Sequence, residues 1–294
     1  MEYLLRTENL TKRYDDFTLA GVNLAVAPGT VVGFVGANGA GKTTTLKAIL
    51  GLIGTDGGTV ELLGTPVKAA SKTIDAVKSR VGVVLDTCAF PGTLRIADVG
   101  RLGHSAYRDW DRPRFSELCG AFDLTPKKKV SELSRGMGMK LTLAFALAHN
   151  PELLILDEAT AGLDPLAREE VLDLLRAFME QPGHGILMST HITSDLEKIA
   201  DEIVCINEGC IMFDLPKDAI SDEAGIARLR AAQVDEVLAS GAVAADAVRI
   251  LRASYSTDML VPDRFAFARA FPNIPVEAPT IEDYMTLMLK GETR

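Results

Sequence analysis

The chain has little with which to build a covalent or metal-held framework. Its four cysteines, Cys88, Cys119, Cys205 and Cys210, show no C-x-x-C spacing. A disulfide scaffold or a zinc site is therefore not expected, and the four read as small buried hydrophobes in a reducing compartment. A cationic surplus is missing too. Lys and Arg number 31 against 40 Asp and Glu, a formal net charge of −9, whereas neutralising nucleic-acid phosphates needs a basic face. No nucleic-acid partner is expected. Long apolar runs are lacking as well, for none reaches the ~18 residues that a spanning helix needs. The most apolar stretch, Leu141 to Leu156, is interrupted by His149, Asn150, Pro151 and Glu152. The opening residues, MEYLLRTENLTKRY, carry charge throughout and hold no signal-peptide core. The expectation is a globular chain of one or two domains that does not cross a membrane by itself.

What is present is alternation of strand and helix. Tyr3 to Val26 has strand-like alternation with turn residues at Asp15–Asp16 and Gly21, and Pro28–Gly29 is a turn. Val31 to Val35, VVGFV, is a short run of buried-strand type, and residues 44–53, TTLKAILGLI, have helical spacing. Further strands are predicted at Arg80–Leu85, Leu153–Leu156 and Gly185–Ser189. Helices are predicted at Thr93–Phe122 with a break at Trp110–Pro113, at Ser134–His149, at Leu166–Met179 and at Ile192–Ile199. Ile203–Asn207 and Cys210–Phe213 read as a hairpin around Glu208–Gly209. Such alternation predicts an α/β fold with a largely parallel sheet covered on both faces. After Pro216 the pattern changes. Ala219–Ser240 is Ala-rich and reads as helical, Val248–Leu260 as two short strands, and Thr280–Lys290 as a closing helix.

Between the VVGFV strand and the following helix lies GANGAGKT, Gly36 to Thr43, a full match to the phosphate-loop pattern G-x-x-x-x-G-K-[ST]. Gly36, Gly39 and Gly41 let the backbone approach phosphates, and the loop N–H groups with the helix start supply positive potential. Lys42 is expected at the β- and γ-phosphates and the Thr43 hydroxyl on Mg²⁺. Asn38, Ala40 and Thr44 complete the expected nucleotide-binding set. LLILDEAT, Leu153 to Thr160, is a buried strand that releases Asp157 at its C-terminal end, where ligands of α/β sheets bind. Asp157 is expected to hold Mg²⁺ through the metal's water shell, and Glu158 to polarise a water against the γ-phosphate. The blander reading of this stretch is a strand that stops at a solvated acidic turn.

Further along, Leu133 to Met137, LSRGM, lies about 20 residues before Asp157. It resembles the signature motif of ABC-transporter ATPases, usually LSGGQ. Ala161–Gly162–Leu163–Asp164 is similar to that family's D-loop, and Ser189–Thr190–His191 to its switch histidine. Tyr14, in KRYDD, stands where the family stacks an aromatic on adenine, though a plain turn tyrosine is the alternative. The resemblance runs from about residue 2 to 215. It implies a P-loop NTPase with a RecA-like core, an antiparallel β subdomain and a helical subdomain at about 87–150, followed by a small α/β extension at 216–294. It implies ATP and Mg²⁺ as ligands, Lys42, Glu158 and His191 as catalytic groups, and Asp164 in the nucleotide site. It also implies that Ser134 and Gly136 reach the γ-phosphate of a second subunit, most simply a second copy, so that two chains close head-to-tail around two ATP.

Three positions depart from the family pattern. Arg135 replaces the usual glycine of the signature and Met137 the usual glutamine. The LSRGM form, with Lys140 behind it, resembles a branch of bacterial exporter ATPases found beside small multi-span permeases. The third departure is Asp86, at the spacing where the family carries a glutamine that senses Mg²⁺ and contacts the permease. A carboxylate there is a candidate Mg²⁺ ligand; a simple strand-end turn is the other reading.

The resemblance implies the ATPase subunit of a transporter, at the cytoplasmic face of the cell membrane and driving a multi-span permease on a separate chain. PTIEDY, Pro279 to Tyr284, is similar to the closing helix of exporter ATPases of the drug and peptide-antibiotic type. Phe90, Leu94, Tyr107 and Trp110 are candidates for a permease-receiving groove, with packing of the helical subdomain as the alternative. Lys127–Lys129 reads as a solvated run or a face toward anionic headgroups. The alternative class is a soluble ABC ATPase acting on a nucleic-acid or ribosomal partner. The acidic charge and the absence of basic arms disfavour it.

Overall fold

The computed structural model describes residues 2–67, 73–252 and 256–293. The chain forms two compact units, Met1–Ile192 with Ile206–Ile211, and Thr193–Cys205 with Met212–Arg294.

The first unit opens with β1 (Leu5–Arg13) and β2 (Thr18–Val26), which alternate buried and exposed residues as a sheet with one covered face does. They pair antiparallel, Leu5 opposite Val26 and Thr7 opposite Leu24. Gly21 is not a turn residue. It lies inside β2 at φ 65°, where the register with β1 shifts, as a β-bulge demands. β3 (Val31–Val35) is buried at every position and leads into α1 (Lys42–Ile49). β4 (Gly57–Leu62) and β5 (Thr65–Pro66) extend the first sheet in the order β2-β1-β4-β5.

There follow α2 (Thr73–Lys78), β6 (Val81–Val84), α3 (Ile96–Ala106), α4 (Arg112–Ala121), α5 (Arg135–Leu147), β7 (Leu153–Asp157), α6 (Pro165–Met179) and β8 (Gly185–Ser189). Strands β3, β8, β7 and β6 lie side by side in that order, all parallel. The expected break at Trp110–Pro113 is where α4 starts. Asp111 caps it by accepting from Arg114 N at 2.8 Å, and Pro113 occupies the first turn.

Helices α3 to α5 are held by rings. Phe145 packs 4.9 Å from both Phe90 and Trp110, and Trp110 lies 5.2 Å from Phe115. Tyr107 stacks on His149, with centroids 4.1 Å apart and planes 4° from parallel. Trp110 is 8% exposed. Of the two readings offered for these aromatics, the packing reading describes Trp110. Burial pushes His149 down to about 4, so the ring is neutral, and its Nδ1 meets Ser79 O at 3.1 Å. Lys127 and Lys129 are exposed. Cys119 and Cys205 are buried as expected of small hydrophobes, burial lifting the Cys119 thiol to about 12, but Cys210 is exposed.

α7 (Thr193–Ile199), β9 (Glu202–Asn207) and β10 (Cys210–Pro216) follow, and the β9–β10 turn has Glu208 and Gly209 at φ 47° and 79°, the left-handed pair of a type I′ hairpin. In the second unit, β11 (Gly225–Leu229), α8 (Ala231–Ala239), β12 (Arg249–Arg252), β13 (Thr257–Val261), α9 (Arg264–Ala270), β14 (Val276–Glu277) and α10 (Ile281–Lys290) complete the chain. The sheet runs β12-β13-β11-β14 with every neighbour antiparallel, a split β-α-β arrangement. The expected helix over Ala219–Ser240 is therefore interrupted by a central strand. Ile226 packs with Leu287 of α10, while Ala227 and Leu229 pack with Val234, Val237 and Phe267. That period-2 division between two cores overrides the helix propensity of alanine. The two strands expected in Val248–Leu260 are present, and residues 253–255 of that range lie outside the described residues. Among the described residues no helix is long and apolar enough to cross a membrane.

Candidate active site

The chain leaves β3 and folds back through Gly36 to Gly41 before α1 begins. Only glycine fits at 36, since a Cβ there would meet Ile206 O at 2.3 Å. Gly39 and Gly41 hold φ of 80° and 116°. Ala40 N donates to Ala37 O at 3.1 Å and Ala40 O accepts from Gly209 N at 2.9 Å, which anchors the loop. Helix α1 starts without a side-chain cap, and the start of a helix favours an anion. Lys42 is 7% exposed and curls over the loop, Nζ donating to Gly36 O at 2.7 Å and Ala37 O at 3.2 Å.

The parallel register brings distant residues to the same edge. Asp157 pairs with Ser189 across β7 and β8, and Phe34 of β3 pairs with Ser189 on the other side. Thr43 Oγ1 donates to Asp157 Oδ2 at 2.9 Å. Asp157 is 1% exposed, and its Oδ1 is buried with no hydrogen-bond partner among the described residues. Glu158 sits just past the strand end at φ 53°, a left-handed conformation that costs a non-glycine residue about 1–3 kcal/mol. Glu158 N donates to Ser189 O at 2.8 Å, which holds that conformation. Its Oε2 accepts from His191 Nδ1 at 2.7 Å, from His191 N at 3.4 Å and from Thr190 Oγ1 at 3.5 Å. A carboxylate and an imidazole joined in this way can take up and pass on one proton.

A cleft of about 360 Å³ collects Asn38, Gly39, Gly41, Lys42, Thr43 and Thr44 with Asp86, Asp157 and Glu158. Phe17 also lines it, with Cζ 3.0 Å from where a Gly41 Cβ would stand. Sequence reading passed Phe17 over, although it follows Tyr14 by three residues in the same β1–β2 turn. Tyr14 itself is 48% exposed, has Lys12 Nζ 5.6 Å from its ring centroid, and is not among the residues lining the cleft.

Ser134, Gly136 and Asp164 are gathered elsewhere. With Arg135, Met137, Lys140, Gly162 and Leu163 they line a second cleft of about 480 Å³. Ser134 Oγ caps α5, accepting from Met137 N at 3.2 Å. Asp164 Oδ1 caps α6, accepting from Ala167 N at 3.0 Å and Leu166 N at 3.1 Å. The Ala167 N–H foremost holds that carboxyl below its ordinary range. Tyr14 apart, the residues picked out from sequence thus gather about two separate clefts on one chain.

Known proteins resemble this chain in sequence and in fold. The model of the family described as ABC transporter matches residues 19–161. The bacitracin transport ATP-binding protein BcrA of Enterococcus faecalis is 37% identical over 221 residues, which cover 73% of this chain and 70% of that protein. The Nod factor export ATP-binding protein I of Paraburkholderia xenovorans (strain LB400) is 37% identical over 233 residues, 76% of this chain and 75% of that one. Among solved structures, an ATP-binding subunit of an ABC transporter superposes with a TM-score of 0.68 at 28% identity, covering 74% of this chain and 91% of the other.

Proposed function

This chain belongs to the ABC transporter family and is its ATP-binding, ATP-hydrolysing subunit, and from that premise we propose that two copies close head-to-tail on two ATP and drive a separate multi-span permease in export. The observation that carries the reading is the division of the site. The phosphate loop, Asp157 and Glu158 line one cleft, with His191 bonded to Glu158, while Ser134 and Gly136 line another.

On ATP binding Lys42 leaves the Gly36 and Ala37 carbonyls for the β- and γ-phosphates, and the loop N–H groups from Asn38 to Thr44 bind the phosphate oxygens. Phe17 or Tyr14 provides the ring against adenine; the position of Phe17 in the cleft supports Phe17 as the nearer. Glu158 accepts the proton of the attacking water, and His191, bonded to its Oε2, orients that water toward the γ-phosphate. Ser134 Oγ and the N–H of Gly136 approach the same phosphate from the second copy, an anion site built on the start of α5. Asp164 lies beside that face.

The chain is suited to Mg²⁺. No cluster of three or more His, Cys, Asp or Glu able to hold a metal exists among the described residues. A Mg²⁺ bound with substrate phosphates and water needs only one or two protein oxygens. The buried Asp157 Oδ1, without a donor, costs free energy that a hydrated cation removes. Thr43 and Asp157 would hold the ion, with Asp86 at the cleft edge reaching it through water. When bound, Mg²⁺ offsets charge on the phosphates during transfer.

The relatives named for bacitracin transport and Nod factor export support export, and they support a permease on a separate chain that holds this subunit at the cytoplasmic membrane face. Glu158→Gln tests the core of the reading. The amide keeps an acceptor for His191 and loses only the charge, so ATP binding persists while turnover falls ~10²–10⁴-fold. Light scattering should then detect an ATP-dependent dimer. Wild-type phosphate release by this variant would remove Glu158 from the mechanism.

A further inference from the structure

Two opposite charges stand in the two half-sites without partners. Asp86 lines the phosphate-loop cleft and Arg135 lines the signature cleft. Both are exposed, and among the described residues neither side chain forms a hydrogen bond or an ion pair. Of the two carboxylates that line the signature cleft, Asp164 accepts two backbone N–H groups, and Asp123 forms no ion pair with Arg135 among the described residues. The Arg135 stem lies along Gly162, with Cδ 3.6 Å from where a Cβ on that glycine would stand.

These are also two of the three positions that break the family pattern. Each replaces a neutral residue by a charge, and the charges are of opposite sign. The phosphate-loop cleft holds the carboxylates of Asp86, Asp157 and Glu158 against the single cation of Lys42. Nucleotide adds more negative charge there than the Mg²⁺ bound with it would offset. A partner face with a neutral signature would leave the charge of Asp86 uncompensated as the cleft closes and sheds water, where like charges repel most strongly.

We propose that Arg135 of one copy is a positioning residue for the nucleotide sandwich: it neutralises in trans the charge that Asp86 adds to the other copy's cleft, so that residues 86 and 135 act as a pair across the interface. The proposal rests on the head-to-tail reading given above. The guanidinium stands at the first turn of α5, whose free N–H groups favour anions as well, so that face as a whole seeks negative charge.

The test is a double-mutant cycle on ATP-dependent dimerisation in the Glu158→Gln background, with ATP and Mg²⁺, read by sedimentation equilibrium. Arg135→Ala should weaken the dimer about tenfold or more, in the range seen for close interfacial charge pairs. Adding Asp86→Gln should restore the affinity to within about threefold of the parent, because the neutral pair leaves no charge to compensate. The parent dimer should also weaken more steeply with salt than the double variant. A charge reversal, Arg135→Asp with Asp86→Arg, should dimerise better than either single reversal. Unchanged affinity in Arg135→Ala, or losses that simply add in the double variant, would overturn the pairing and leave the head-to-tail reading intact. A parent that stays monomeric with ATP would overturn both.

Discussion

Substituting Gly103 by alanine sets two physical terms against each other. Gly103 lies in α3 and is buried. Helix propensity alone favours alanine by about 1 kcal/mol. The structure opposes it, because a Cβ at this position would lie 2.3, 2.4 and 2.6 Å from Trp110 Cη2, Cζ3 and Cε3. Carbon atoms rest about 3.5–4.0 Å apart, so the indole must retreat by roughly 1 Å or more. Phe145 and Phe115 rings, 4.9 and 5.2 Å from its centroid, limit that retreat, although a cavity of about 240 Å³ borders the indole beside Phe115. Overpacking of a boxed ring costs about 1–3 kcal/mol, and three overlapping atoms place this site near the upper end. The net expectation is a loss of about 2 kcal/mol and a fall in Tm of about 4–8 °C, by scanning calorimetry, for a unit of this size. In a Trp110→Leu background the obstruction is gone, and the same Gly103→Ala change should stabilise by about 1 kcal/mol. A higher Tm for Gly103→Ala in the wild-type background would refute the packing argument.

Lys42→Ala should abolish ATP binding in equilibrium dialysis, and retained affinity would dismiss the phosphate-loop assignment. His149 gives a pH signature: burial lowers it from 6.5 to about 4, so the unfolded chain takes the proton first. Its contribution to stability is complete above pH 6.5 and is lost as pH falls toward 4, by up to about 3 kcal/mol. His149→Phe keeps a ring against Tyr107 and removes that loss. Urea midpoints at pH 7 and 4.5 should therefore converge for the variant more than for wild type, and parallel profiles would count against a buried neutral His149. Thr280 caps α10 by accepting from Asp283 N at 3.0 Å, so Thr280→Ala should cost about 1 kcal/mol in the same measurement. An unchanged midpoint would mean the cap contributes nothing.

Much of the site was legible because its demands are local. The glycines of GANGAGKT answer to a φ of 80° or 116° and to a backbone oxygen 2.3 Å from a would-be Cβ, so the loop needs those residues in that order. Ser134 and Asp164 stand at helix starts because their oxygens can cap N–H groups three positions on. Runs such as LLIL and GILMS announce buried strands by composition alone. Sequence therefore determined the family and the main strands and helices of the first unit, though not β4, β5 or α2.

Sequence did not decide which of those residues meet. Glu158 and His191 are 33 positions apart, and they share a 2.7 Å contact because Asp157 pairs with Ser189 across two parallel strands. A one-residue slip in that register would separate them. Phe17 entered the phosphate-loop cleft, while Tyr14 remained exposed, through the path of the β1–β2 turn. The Ala-rich stretch after Pro216 reads as helix from propensity. It became a central strand because Ile226 has one core to fill and Ala227 and Leu229 another. Propensity, caps and glycines act within a few residues and can be read along the chain. Register and the sharing of two cores depend on partners far away in sequence, and only the folded molecule supplies them.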